Sequence, residues 1–309
     1  MIGIIFSRDR ALQLESTLSS FLLHCQDPEQ IHLNVLYLAT SPVHSRQYVE
    51  LAREYTKRVS FRLIPQHDFR YDLLKLILPV DDRNFQNNIR LQIIKMGPRF
   101  GFLNRFGLAK KSWDYVLFLV DDNLFVRDFR LRNMVQALDA NPDVVGFSLR
   151  LGLNTTYCYS KNSPQGLPNF TPINEGALKF NWTTAELDFG YPLEISSSMY
   201  SAKVLWNLLN RIPFRNPNTL ENRMASSRRF YQSTHPYLLC LEQSATFCNP
   251  INKVQTVWDN RSGSNQKYSV EQLAKKFDQG YRVRVESYSD FTPNACHQEV
   301  DLILEKHKG

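Results

Sequence analysis

Short apolar runs alternate with helix-like patterns along the first 150 residues of the chain. Within residues 10–24, apolar side chains recur at Leu14, Leu18 and Phe21, which is the spacing of one face of an α-helix. This alternation predicts βαβ units that build a mostly parallel sheet with helices on both faces. The predicted strands cover residues 2–6, 33–39, 59–64, 115–120 and 143–149, and the predicted helices cover residues 10–24, 48–55, 70–79 and 131–138.

The character of the chain changes near residue 150. Residues 152–192 are rich in Asn, Thr, Pro, Gly and aromatic residues, and a long irregular passage inside a compact fold is usually functional. The division falls between residues 1–150 and residues 151–309. The elements predicted after the irregular passage are a strand end and helix over 196–209, a short helix over 219–229, a helix near 270–278, a strand over 281–287 and an amphipathic tail helix that carries Val300, Ile303 and Leu304.

The composition is that of an ordinary folded protein, with 43% hydrophobic and 22% charged residues in a chain of 309. Five cysteines without a CxxC pair fit reduced intracellular thiols better than a disulfide framework. The N-terminus lacks the features of a signal peptide, and the longest apolar runs are well short of the roughly 20 residues that a spanning helix needs. The sequence therefore predicts a cytoplasmic protein without a transmembrane anchor.

The charge balance is basic, with a net charge of +7. An excess of this kind suits an anionic partner such as a nucleotide diphosphate, an acidic lipid surface or nucleic acid. Because no recognised nucleic-acid-binding motif accompanies the basic residues, we expect no nucleic-acid partner.

Three polar residues, Asp121, Asp122 and Asn123, follow directly after the apolar run of residues 115–120. A strand that ends in carboxylates places them at the carboxyl edge of a parallel sheet, where open α/β folds bind ligands. Two acids and an amide offer oxygen ligands to a hard divalent ion, which can bridge the phosphates of a nucleotide diphosphate. The alternative is that the three residues only cap the next helix and turn the chain.

Two blocks in the first 125 residues resemble the GT-A glycosyltransferases, in a form like glycosyltransferase family 2. Residues 104–109, Asn-Arg-Phe-Gly-Leu-Ala, followed by the strand that ends in Asp121, are similar to the helix and strand around the DxD signature. Residues 4–10, Ile-Ile-Phe-Ser-Arg-Asp-Arg, are similar to the first strand and helix, where the nucleotide base is held. The resemblance implies an α/β, Rossmann-like fold with a mostly parallel central sheet flanked by helices and a smaller acceptor-side subregion.

The resemblance also implies roles for the two halves and for single residues. Residues 1–150 become the half that binds the donor, a nucleotide sugar, and residues 151–309 become the acceptor half and C-terminal elements of the same domain. Asn123 stands where the family usually has a metal-binding aspartate, so this DxD-like motif departs from the pattern. The implied nucleotide-sugar-binding residues are Ser7, Arg8, Asp68, Asn104, Asp121 and Asp122, and the implied ligands of a divalent metal, Mn²⁺ or Mg²⁺, are Asp122 and Asn123.

A third block, residues 191–200 and 212–224, is similar to the acceptor half of inverting GT-A enzymes. In that half, an acidic residue at the start of a short helix removes the proton from the acceptor hydroxyl, which makes Glu221 the candidate catalytic base. The competing interpretation is that Glu221 only stabilises the positive end of the helix dipole. Glu194, Glu186 and Asp188 are alternative bases in the same half.

The function implied by these resemblances is sugar transfer from a nucleotide-diphosphate sugar, preferably a UDP-sugar, to a hydroxyl of a carbohydrate or glycolipid acceptor. The reaction is expected to be metal-assisted and inverting, and to serve polysaccharide or glycoconjugate biosynthesis. Two alternatives remain open: a nucleotide-sugar-binding protein of the same fold with weak or no catalysis, and a sugar-phosphate nucleotidyltransferase. The basic charge and the predicted tail helix also suggest peripheral contact with the inner face of a membrane.

Overall fold

A nine-stranded sheet runs through the described part of the protein, in the order β3-β2-β1-β4-β11-β6-β12-β10-β9. The computed structural model describes residues 1–78, 92, 94–98, 113–252 and 268–307. Strand pairings show that seven of the nine strands run in one direction and that β10 and β11 run against them. The strands of this sheet are β1 (Ile2–Arg8), β2 (His32–Leu38), β3 (Phe61–Pro65), β4 (Tyr115–Val120), β6 (Val144–Ser148), β9 (Phe170–Pro172), β10 (Ala177–Asn181), β11 (Ser198–Ser201) and β12 (Tyr237–Leu241).

Helices cover both faces of this sheet, because strand residues alternate between two hydrophobic clusters. Ile5 belongs to the cluster that contains residues of α1, α2, α4 and α7, whereas Ile4 and Phe6 belong to the cluster with residues of α3, α5 and α6. The predicted α/β class with a mostly parallel central sheet is confirmed. The helices are α1 (Ala11–His24), α2 (Pro42–Tyr55), α3 (Phe69–Ile77), α4 (Leu131–Ala140), α5 (Ala202–Leu209), α6 (Pro217–Ser226) and α7 (Val270–Asp278).

Small two-stranded sheets lie beside the central sheet. One of them pairs β5 with β13, and its register sets Asn123 opposite Cys248. This pairing joins the end of β4 to the C-terminal third of the chain. The strands of the small sheets are β5 (Asn123–Phe125), β7 (Tyr157–Cys158), β8 (Ser163–Pro164), β13 (Thr246–Cys248), β14 (Tyr281–Val283) and β15 (Leu304–Lys306).

The C-terminal prediction was wrong. In place of an amphipathic tail helix, Val300 and Ile303 lie in extended chain, and Leu304 begins β15, which pairs antiparallel with β14. The predicted strand over 281–287 ends at Val283 and is followed by a 3₁₀ turn, Val285–Tyr288. The backbone groups of Val300, Ile303 and Leu304 form hydrogen bonds with distant parts of the chain rather than within a helical turn. The helical spacing of these apolar residues therefore reflects packing against the core.

Three other features expected from the sequence can be compared with the structure. The irregular passage over 152–192 contains the short strands β7 to β10. The helix that the resemblance implies at residues 104–109 lies outside the described residues. No helix in the described ranges is long and apolar enough to span a membrane.

Candidate active site

Asp121 and Asp122 lie at the carboxyl end of β4, beside the end of the neighbouring strand β1. The parallel register pairs Phe6 with Val120, and the backbone N–H of Asp121 donates to the carbonyl of Phe6 at 3.1 Å. The ends of the two strands lie side by side because β1 and β4 are neighbouring, buried strands of the central sheet. This is the edge at which open α/β sheets bind ligands, so the predicted placement of the acidic pair is confirmed by the strand geometry.

The Asp121 carboxylate is held by three donors from the β1 end. Ser7 Oγ donates to Oδ2 at 2.9 Å, and the backbone N–H of Arg8 donates to the same oxygen at 3.2 Å. Arg10 Nη1 donates to Oδ1 at 3.1 Å. Since Asp121 is only 5% exposed, these bonds fix its orientation and keep its charge compensated.

Arg10 is brought to the acidic pair by a sharp turn after β1. Asp9 adopts φ of 55°, a left-handed conformation that Asp tolerates better than most residues, and its carboxylate accepts from the N–H of Thr40 at 2.7 Å. The turn directs the guanidinium of Arg10 between Asp121 and Asp122. Its Nη1 lies 3.4 Å from Asp122 Oδ2, and its Nη2 donates to the carbonyl of Asn252 at 2.6 Å.

The Asp122 side chain is the more accessible of the two carboxylates, at 17% exposed. Burial raises the pKa of Asp122 to about 6, against the lowering effect of Arg10, and the charge of Asp121 raises it further. The Cys248 thiol is also a hydrogen-bond partner of this carboxylate. Asp122 therefore changes its charge close to neutral pH.

The predicted metal-ligand role of Asn123 does not fit this geometry. Its side chain is fully buried, and its Oδ1 accepts from the N–H of Val120 at 2.8 Å. Its Nδ2 lies 3.6 Å from Cys248 Sγ. The Asn123 amide thus closes the turn between β4 and β5. This agrees with the alternative interpretation, in which the residue only turns the chain. In the ranges that the structure describes, no three His, Cys, Asp or Glu side chains are grouped to hold a metal ion.

Three further residues, Arg8, Asp68 and Asn104, were predicted to bind the nucleotide sugar. The Arg8 side chain is 51% exposed, and its Nε lies 3.7 Å from Asp9 Oδ2. Asp68 is the N-cap of α3, where its Oδ1 accepts from the N–H of Tyr71 at 3.0 Å, so a nucleotide contact from it competes with capping. Asn104 lies outside the described residues.

Glu221 lies on α6, near the start of the helix as predicted. The helix begins with a capping box in which the Asn216 side chain accepts from the N–H of Thr219 at 2.9 Å. Leu220 and Met224 are buried against the core, which turns the adjacent Glu221 towards the protein and leaves it half-buried. The helix-dipole alternative is weakened, because Glu221 lies beyond the first turn.

The carboxylate of Glu221 has polar neighbours from other elements. The backbone N–H of Ile195 donates to it, and the charges of Arg150 and Glu194 act on it. Burial raises the pKa of Glu221 to about 7, while Arg150 lowers it and Glu194 raises it. A carboxylate with this pKa is poised to accept a proton at neutral pH.

The loop that carries Ile195 is shaped by a buried ion pair. Glu194 is 2% exposed, and its side chain accepts from the N–H and hydroxyl of Ser196, the N–H of Ser197 and the hydroxyl of Ser198. Arg150 Nε lies 3.8 Å from Glu194 Oε1, and Arg150 is 3% exposed. Despite the cost of burial, Arg150 and these donors hold the pKa of Glu194 below its ordinary value. Glu194 is therefore a structural carboxylate rather than a second base.

Polar neighbours join the donor end to the acceptor end. The Cys248 thiol is a partner of both Asp122 and Ser196, and Ser196 donates to Glu194. Glu194 and Arg150 are in turn charged neighbours of Glu221. We call this set, which runs from Asp122 through Cys248, Ser196, Glu194 and Arg150 to Glu221, the polar line. It runs between the predicted donor carboxylate and the predicted base.

Sequence reasoning missed some residues of this site. Arg10 was part of the first motif, but no role was assigned to it, because only the turn at Asp9 shows where its guanidinium goes. Arg150 follows β6 without any motif, and only its burial reveals it. His297 pairs with Cys248 as an isolated bridge, and burial together with Arg150 lowers its pKa to about 4.

Comparison with curated proteins finds a glycosyltransferase. No protein-family model matches the chain. The bifunctional glycosyltransferase pgtA of Dictyostelium discoideum is 26% identical over 284 residues, an alignment that covers 83% of this chain and 32% of that protein. This chain thus spans about a third of the length of that relative.

Solved glycosyltransferase structures also resemble the fold at low identity. S. aureus TarS (1-349) in complex with UDP-GlcNAc is 13% identical with a TM-score of 0.42, covering 80% of this chain and 57% of that one. Mouse xyloside xylosyltransferase 1 in its apo form is 11% identical with a TM-score of 0.37, covering 82% of this chain and 99% of that one.

The chain is similar to a curated glycosyltransferase, and its mixed α/β sheet carries an acidic pair at the end of β4. Both findings are consistent with the GT-A resemblance read from the sequence motifs.

Proposed function

We propose that this chain transfers a sugar from a nucleotide-diphosphate sugar to a hydroxyl of a carbohydrate or glycolipid acceptor, with inversion at the anomeric carbon. The polar line is the observation that supports this proposal, because it joins a donor-edge carboxylate, Asp122, to a poised base, Glu221. A UDP-sugar is the donor that we favour, and synthesis of a polysaccharide or glycoconjugate is the setting that we expect.

The donor side of the reaction belongs to the ends of β1 and β4. Ser7 and Arg8 would line the base pocket, and Asp121 would present a fixed surface to the ribose. The cationic side chain of Arg8 is half exposed at this edge and is free to approach a phosphate. Asp122 lies next to them, on the side that faces the polar line.

The acceptor side belongs to Glu221. Its carboxylate would take the proton from the acceptor hydroxyl as that oxygen bonds to the anomeric carbon. The bond from the anomeric carbon to the diphosphate oxygen breaks on the opposite face, and the nucleoside diphosphate leaves with the electron pair. One well-placed carboxylate is sufficient for an inverting displacement of this kind, and the Ile195 N–H would hold it in place.

The divalent metal that the family implies, Mn²⁺ or Mg²⁺, does not fit a site made by the protein alone. The oxygen of Asn123 is used in the turn after β4, and both oxygens of Asp121 accept hydrogen bonds. Arg10 already brings a positive charge between the two carboxylates. Asp122 remains the residue nearest to such a role, and we assign no step of the reaction to a metal.

A transfer assay with a charge-removing variant tests the proposal. Candidate donors are first identified by the rise in melting temperature that UDP-, GDP-, CMP- and dTDP-sugars produce, since ligands that bind the native state stabilise it. Glu221→Gln should still bind the donor but should lose transfer by roughly a hundredfold or more, the usual contribution of a general base. Glu186→Gln, at an exposed position of the same half, is the matched control and should retain activity.

Two outcomes would contradict the proposal. Normal turnover by Glu221→Gln would remove the base assignment. Donor binding without release or transfer of the sugar under any condition would favour the alternative of a nucleotide-sugar-binding protein.

A further inference from the structure

Positive charge is concentrated in the part of the sequence that contains the candidate base. Residues 203–231 contain six basic residues and one acidic residue, Glu221, which gives this segment a net charge of +5 within a chain whose net charge is +7. The remaining chain is thus nearly balanced. We call this stretch the basic segment; its cations are Lys203, Arg211, Arg215, Arg223, Arg228 and Arg229.

Carboxylates of the described residues do not neutralise these cations. All six are exposed, and none of them forms an ion pair with another described residue. Some basic residues elsewhere are paired, as Arg46 is with Asp278 at 2.6 Å and Lys179 with Asp143 at 2.7 Å. Exposed cations without an acidic partner create a positive local potential that attracts anions.

Arg228 is the residue of the basic segment that lies beside the neighbours of the candidate base. The guanidinium Nη1 of Arg228 donates to the carbonyl of Gly190 at 2.9 Å. The next residue, Tyr191, feels both charges: burial and Glu221 raise its pKa, whereas Arg150 and Arg228 lower it. Arg228 and Glu221 are therefore both charged neighbours of Tyr191, which sets Arg228 beside the polar line.

An exposed aromatic ring follows the two arginines. Phe230 is 65% exposed, the highest exposure among the large hydrophobic residues of the described ranges, and the Arg229 guanidinium lies 5.2 Å from its ring centre. A ring held beside cations offers an apolar face for stacking together with charge for recognition. We call Arg228, Arg229 and Phe230 the basic rim.

A membrane surface fits the basic segment less well than a charged sugar does. Insertion of a helix into the lipid interface requires an unoccupied apolar face. In α6 the apolar residues Leu220 and Met224 are buried in the core, so the helix has no such face to offer. Charge recognition needs only the exposed cations.

We propose that the basic rim binds an acceptor glycan that carries an anionic substituent, a carboxylate or a phosphate, next to the hydroxyl that receives the sugar. Arg228 and Arg229 contact the anion, Phe230 stacks on a sugar ring, and the hydroxyl is thereby presented to Glu221. This inference rests on the proposed function and adds the chemical class of the acceptor to it.

Binding to matched oligosaccharides tests the charge requirement directly. Fluorescently labelled oligogalacturonide and its fully methyl-esterified form share one backbone and differ in charge. The wild-type protein should bind the charged form about tenfold more tightly, as expected for charge-assisted hydrogen bonds from two arginines. Added salt should reduce this preference. Phosphorylated and dephosphorylated mannan provide the same comparison for phosphate.

Two double variants separate the basic rim from general charge. Arg228→Gln with Arg229→Gln should bind the charged and esterified forms equally. Arg53→Gln with Arg62→Gln removes the same charge from exposed positions on α2 and β3, and it should keep the tenfold preference. Melting temperatures of both variants show whether each remains folded.

The possible results are distinguishable. Equal binding of both oligosaccharides by the wild-type protein, or an unchanged preference in the rim variant, would overturn the inference. Binding to phosphatidylglycerol vesicles but not phosphatidylcholine vesicles, without any preference among the oligosaccharides, would overturn it in favour of a lipid surface. Transfer to neutral acceptors only would overturn it while the proposed function stands, whereas absence of transfer to every acceptor would count against the proposed function itself.

Discussion

Replacing Glu194 with glutamine removes one negative charge from the buried carboxylate that supports the loop beside the candidate base. The wild-type carboxylate accepts from backbone and hydroxyl donors of Ser196, Ser197 and Ser198, and it faces Arg150. Glutamine keeps the shape but replaces one acceptor oxygen with an NH₂ group that must face these donors. Arg150, 3% exposed, also loses its partner charge.

The expected loss of stability is large for a single substitution. Breaking one partner of a buried ion pair costs about 3–5 kcal/mol, since the remaining charge stays desolvated. Because the folded pKa of Glu194 is lowered, its stabilising contribution is present above its ordinary pKa and is lost as the pH falls through the folded value. The difference between the wild-type protein and Glu194→Gln should therefore shrink in acid.

Urea unfolding at pH 7 and at a pH below 4.5, the ordinary pKa of glutamate, measures this difference. Glu186→Gln, with its exposed side chain, is the control and should unfold like the wild-type protein. In the folded fraction of Glu194→Gln, transfer should fall further than donor binding, because the Ile195 N–H that holds Glu221 belongs to the same loop. A loss of less than about 1 kcal/mol, with normal transfer, would refute the structural role of Glu194.

Three further predictions concern separate groups. The rate of transfer should rise with pH through about 7 and then level off, because only the ionised form of Glu221 accepts a proton; a pH profile that is flat between 6 and 8, or that is unchanged in Glu221→Gln, would contradict this. Glu15 is 3% exposed and has a pKa raised to about 7 by burial, so its ionisation lowers stability as the pH rises from about 4.5 to 7. Glu15→Gln keeps an oxygen for the hydroxyls of Ser19 and Tyr55 and should raise the free energy of unfolding at pH 8 by about 1–3 kcal/mol, an advantage that disappears near pH 4 in thermal melts. Calorimetry should detect no Mn²⁺ binding without nucleotide, since the described site offers only Asp122 as a ligand; tight binding of Mn²⁺ to the free protein would show that the metal interpretation of the sequence was right.

Local patterns were enough for the described strands of residues 1–150. The apolar runs over residues 2–6 and 115–120 became β1 and β4, because a strand buried on both faces must be continuously apolar. The polar residues that follow β4 then had to lie at the edge of the sheet. The position of Asp122 was therefore predictable from the sequence alone.

The strands of residues 151–309 depended on contacts between distant parts of the chain. β10 and β11 are short, and their pairing with β12, β4 and β6 is fixed by the core rather than by any pattern of their own. The C-terminal segment shows the same limit, since Leu304 belongs to β15 through pairing with β14. Local periodicity does not encode such partners.

The chemistry of single residues was also decided by tertiary structure. Asn123 was expected to bind a metal, but its oxygen satisfies the N–H of Val120 in a fully buried turn. Arg10 entered the site because Asp9 turns the chain in a left-handed conformation. Neither the buried amide nor the redirected guanidinium has a signature in the sequence.

A crystal structure with a bound UDP-sugar measures the central claim most directly. The account predicts that the diphosphate lies beside Arg8 and Asp122, with the anomeric carbon between it and the carboxylate of Glu221 on the opposite face. A donor bound away from the ends of β1 and β4, or a different acidic residue at the open face of the anomeric carbon, would contradict it.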